Sequence, residues 1–166
     1  MQTPSLLWNP SGEFLAHSNL SGYAAWLGSE RGGTFHDYHS LWEWSRTEAP
    51  AFWESLWRYF GIITHTPYRE VMSGDPMPHT RWFRGATLNY AEHIFRQKTP
   101  VRPALIYASE TREPTPVSWE ELEAQTASIQ AYLRGLGIGP GDRVAACLPN
   151  IPEATVAMLA TISLGA

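Results

Sequence analysis

The chain has 166 residues, 43% hydrophobic and 17% charged, which is the make-up of a globular domain able to bury about two-thirds of its unfolded surface. A formal net charge of −4 supplies no electrostatic reason to bind DNA, RNA or an anionic bilayer, so neither nucleic acid nor membrane is an expected partner. One cysteine, Cys147, excludes an intrachain disulfide; set in an apolar run, it reads as a buried small hydrophobe in a reducing compartment.

The first residues carry Pro4, Asn9 and Pro10 where a signal peptide would have a basic head and an apolar stretch, and no run approaches a membrane span. This predicts a soluble, untargeted, cytoplasmic protein. From Asn19 as cap, Leu20, Tyr23, Ala24 and Leu27 repeat at helical spacing, and Gly32 with Gly33 closes the unit. A second helix is predicted from Asp37, with Tyr38, Leu41, Trp42 and Ser45 on one face. A third follows Pro50, with Phe52, Trp53, Leu56, Trp57 and Phe60 as its stripe and Gly61 as its stop. Five of the eight tryptophans, Trp26, Trp42, Trp44, Trp53 and Trp57, fall here. Their helical spacing assigns them to packing between these helices rather than to a ligand-stacking platform.

Residues 62–87 hold Pro67, Gly74, Pro76, Pro78 and Gly85 without sustained periodicity, which predicts a long connection with at most short strands. Residues 81–92 are the most informative stretch. Trp82 and Phe83 form an apolar anchor, Gly85 allows a turn, and Asn89 sits as the cap of a helix carrying Ala91, Ile94 and Phe95. Further on, 103–108 and 116–118 read as two strands of a hairpin around a polar turn at 111–113. Ser118 and Glu121 form an S-x-x-E capping box, followed by a helical stripe of Leu122, Ile129, Leu133 and Leu136. Glycines between 135 and 141 end that helix. Residues 143–148 read as a continuous buried strand, and Asn150 with Glu153 caps a last helix through Val156, Leu159 and Ile162. The order strand, helix, strand, helix is α/β. Because Leu164, Gly165 and Ala166 close the last helix where the next parallel strand is due, the sheet is expected to be incomplete and the chain a fragment.

Few residues point to chemistry. Gly135, Gly137, Gly139 and Gly141 recur at every second position after a helix, which satisfies neither the G-x-G-x-x-G nor the G-x-x-x-x-G-K phosphate pattern. Among six histidines only His36 and His39 lie close, too few donors for zinc. Glu120, Glu121 and Glu123 read as first-turn charges favoured by the helix dipole.

The ordered set Ser118, Trp119, Glu120, Glu121, Leu122, then Leu136, Gly137, Gly141, Asp142, Arg143, Val144, then Leu148, Pro149, Asn150 resembles the opening motifs of the adenylate-forming enzymes. Upstream, Leu7, Trp8, Asn9, Pro10, then Ser18, Asn19, Leu20, and Leu41, Trp42, Glu43, Trp44, Ser45 with Phe52 and Trp53 are similar to acetoacetyl-CoA synthetases. The resemblance implies a helical N-terminal extension over residues 1–100 and the truncated start of the AMP-binding domain over 101–166. It implies a fold class of α/β, in which the first β-α-β-α part of the large adenylate-forming domain follows the extension. For the parent enzyme it implies ATP, CoA and Mg²⁺ as cofactors, acetoacetate as substrate, an acyl-adenylate intermediate, and the rest of the adenylating domain with a rotating C-terminal domain as partners. The phosphate loop and catalytic lysine of that family have no counterpart here, so no catalytic, cofactor-binding or metal residue is assigned. Asp142 and Arg143 match the family pattern but are explained as a strand-entry charge pair. An acetyl- or propionyl-CoA synthetase-like ligase, and a non-catalytic interaction module, remain alternatives.

Overall fold

The computed structural model describes residues 7–32, 35 and 37–166. The chain divides into two compact units, Met1–Ile62 with Arg69–Arg84 and Ile63–Tyr68 with Gly85–Ala166.

The first unit holds α1 (Gly12–Ala16), α2 (Asn19–Arg31), α3 (Tyr38–Thr47), α4 (Ala49–Tyr59), β1 (Glu70–Met72) and β2 (Trp82–Arg84). Local capping chemistry sets most of the helix starts. Ser11 accepts from the Phe14 N–H at 3.1 Å, which starts α1, a helix too short to give a periodic signal. Ser18, rather than Asn19, caps α2 by accepting from Ser21 N–H at 3.1 Å. Asp37 and Ser40 form a reciprocal capping box on α3. Gly32 ends α2 at φ 70°, a left-handed conformation that costs glycine least.

Leu27, Tyr23 and Leu41 form the buried centre of this unit, with Trp26, Phe35, Trp44, Phe52, Leu56 and Tyr59 packed around them. The Tyr23 hydroxyl shares a 2.6 Å hydrogen bond with Ser55 Oγ, and burial pushes its pKa up despite that bond and the nearby Arg31. At the surface Arg46 donates to Glu43 and holds that carboxyl below its usual range, an exposed contact of little consequence for stability. The tryptophans divide into two sets. Trp26 and Trp44 pack on the core, whereas Trp42 and Trp53 stay 44% and 43% exposed. The reason is angular: Trp42 follows Leu41 and Trp53 follows Phe52, and successive helical residues diverge by about 100°, so only one of each pair faces inward. Trp53 instead packs against Trp82 at 5.5 Å, and Trp57 stacks on Phe83 at 4.2 Å. The β1 and β2 strands pair antiparallel, Glu70 opposite Arg84 and Met72 opposite Trp82.

The second unit holds α5 (Tyr90–Phe95), β3 (Leu105–Ser109), β4 (Arg112–Val117), α6 (Trp119–Gly135) and α7 (Pro152–Ser163). The expected hairpin is present, with Leu105 opposite Val117 and Tyr107 opposite Thr115. Ala91, Val117, Leu122, Val156 and Leu159 make the core, bordered by Ile94, Phe95, Leu105, Trp119 and Ile162. Helices and two small two-stranded sheets together make an incomplete α/β assembly.

Four local expectations are corrected. The 143–148 segment joins neither sheet among the described residues and is exposed throughout, Cys147 included. A strand needs a neighbour to take its N–H and C=O groups, and the hairpin strands pair only with each other. Asn150 does not cap α7; Ile151 occupies the cap position without a side-chain bond, and Pro152 at the first turn has no N–H to satisfy. Finally, α6 buries Leu122 and Thr126, while Leu133 is half-buried and Ile129 and the C-cap residue Leu136 remain 39% and 61% exposed, so the stripe is covered unevenly. No helix among the described residues is long and apolar enough to cross a membrane.

Candidate functional site

The residues singled out in the sequence converge on the two ends of α6 and the C-terminal end of α7, all in the second unit. At its start, Ser118 Oγ accepts from the Glu121 N–H at 3.1 Å. The Glu121 carboxylate is engaged by Gln125 Nε2 at 3.3 Å, and Glu123 pairs with Lys98 at 2.8 Å. Beside this end lies an open cleft of about 670 Å³, lined among others by Lys98, Arg102, Trp119, Glu120, Glu121 and Glu123. Three carboxylates against two cations, one already paired, make it a poor receptor for a polyphosphate. The indole Nε1 of Trp119 is buried and lacks a hydrogen-bond partner among the described residues.

At the far end of α6 the N–H groups of the glycine loop are taken by other groups of the second unit. Gly137 N–H donates to Arg134 O at 3.0 Å, Gly139 N–H to the Asp142 carboxylate at 2.9 Å, and Gly141 N–H to Gly165 O at 3.0 Å. An anion would need those donors, and Asp142 already sits where it would bind. The residues present therefore do not fit a triphosphate. Asp142 has a defined part here, holding the loop, while Arg143 Nη1 reaches Gly141 O at 3.4 Å.

Asn89 has a role that spacing alone does not reveal. Its Oδ1 accepts from Ala91 N–H at 3.0 Å, as a cap should. Its Nδ2 donates to Ile162 O at 3.0 Å and Ser163 O at 3.4 Å, two carbonyls in the last turn of α7. Gln130 adds a 2.8 Å bond to Ser163 Oγ, so α5, α6 and α7 meet at one polar junction. The sequence signal for it was the asparagine itself, a cap residue whose amide carries two N–H donors beside its acceptor oxygen.

The histidines are dispersed. His39 packs on Trp42 at 5.3 Å, His65 Nε2 lies 2.9 Å from Glu92 Oε2, and His93 Nε2 faces the backbone of Ile63. His36 lies outside the described residues. No group of three or more His, Cys, Asp or Glu that could hold a metal ion occurs among the described residues.

Residues 38–94 match the family described as "Acetyl-coenzyme A synthetase N-terminus", and 93–166 match "AMP-binding enzyme". Over all of its length the chain is 39% identical to an acetoacetyl-coenzyme A synthetase of Rhizobium meliloti, covering 25% of that protein. It is 37% identical over 164 residues to the Mus musculus acetoacetyl-CoA synthetase, covering 97% of this chain and 24% of the relative. The solved acetoacetyl-CoA synthetase from Streptomyces lividans superposes with a TM-score of 0.89 at 44% identity, across 98% of this chain and 26% of that one. The chain belongs to the acetoacetyl-CoA synthetase family. It spans about a quarter of the length of the relatives it matches. In acetoacetyl-CoA synthetase terms, the two family regions meet at residues 93–94, inside α5, just beyond the Asn89 junction. The motif at 136–144 corresponds to the glycine loop, and that at 148–150 to the entry into α7.

Proposed function

We propose that this chain supplies the N-terminal part of an acid–thiol ligase that converts acetoacetate, ATP and CoA into acetoacetyl-CoA, AMP and pyrophosphate through an acyl-adenylate. The observation that carries this reading is the 0.89 TM-score across 98% of the chain to the Streptomyces lividans enzyme. Residues 1–100 are assigned to the helical extension and 101–166 to the start of the adenylating domain, in a cytoplasmic protein. Mg²⁺ would accompany ATP in the assembled enzyme. None of the residues described here is assigned to catalysis, to a cofactor or to a metal: the glycine loop has spent its N–H groups internally, and the α6 cleft is acidic. Their part is to build the wall on which the remaining domain rests.

A chimera tests this. The 166 residues replace the matched quarter of the Streptomyces lividans protein, and acetoacetate-dependent AMP formation is measured alongside the 166-residue chain alone. The chimera is expected to turn over and the chain alone to release no pyrophosphate. A folded but inactive chimera would overturn the assignment, and turnover by the chain alone would overturn the placing of the chemistry elsewhere.

A further inference from the structure

We draw no further inference here: the strongest candidate, the apolar groove between the exposed 142–148 segment and α7, carries nothing because nothing in the structure shows what covers it.

Discussion

Asn89 does two jobs with one amide, and substitutions separate them. Asn89→Ala removes the α5 cap and both donor bonds to α7, an expected loss of about 2 kcal/mol. Asn89→Asp keeps the acceptor and sets a carboxylate against two carbonyl oxygens, so it should also destabilise; a urea midpoint equal to the parent's would show that the donor bonds contribute nothing. Tyr23 allows a pH test. Tyr23→Phe should cost about 1 kcal/mol at neutral pH by removing the Ser55 bond. The folded hydroxyl ionises above its ordinary value of 10.0, so its contribution is fully present below that pH and falls as pH rises through the folded value. The stability difference between parent and Tyr23→Phe should therefore shrink on going from neutral to strongly alkaline solution; a constant difference would deny the linkage. Exposure grades the aromatic and aliphatic positions in the same way. Leu27, fully buried, should cost about 2 to 5 kcal/mol on truncation to Ala, whereas half-exposed Trp53 should fall below the range of about 3 to 5 kcal/mol expected for a fully buried tryptophan. Equal melting shifts for the two would contradict the burial pattern.

Three helix starts were legible because capping is local, whereas the caps expected at Asn19 and Asn150 fell to Ser18 and Ile151. Asp37, Asn89 and Ser118 each satisfy an N–H two or three residues ahead, and nothing distant has to be known. Ser118→Ala should accordingly cost about 1 kcal/mol in thermal unfolding and leave turnover of the chimera unchanged. The 143–148 segment was not legible, because an apolar run states only that a strand would be buried, while pairing depends on residues elsewhere. Trp42 and Trp53 misled for a related reason: a stripe containing adjacent aromatics spans more of the helix than one neighbour can cover. In the glycine loop, whose spacing does not satisfy the phosphate patterns, the N–H groups of Gly137, Gly139 and Gly141 are taken by Arg134, Asp142 and Gly165. Those glycines are not equivalent. Gly137 and Gly141 sit at φ 86° and 88°, so alanine at either should cost about 1 to 2 kcal/mol. Gly139 has no positive φ and open space around its Cα, so Gly139→Ala should be neutral or stabilise by up to about 1 kcal/mol in the urea midpoint.

Across the molecule, the α/β class and the family were readable from ordered motifs, whereas the one polar junction that unites α5, α6 and α7 was not, because its partners lie far apart in sequence. That separation sets an order of events during synthesis. The α5 helix has six residues, below the length of about 12 at which an isolated helix becomes even marginal in water. Its cap is tied to a carbonyl 73 positions later. At a translation rate of about 5 to 20 residues per second, roughly 4 to 15 seconds pass between the two ends of that bond. Throughout this interval the 90–95 segment has only its contacts with earlier parts of the unit, such as His93 on the Ile63 backbone, because its α7 partner has yet to be made. The α5 helix thus completes its packing only after α7 has been made, and its amides should gain full hydrogen-exchange protection late as the chain lengthens.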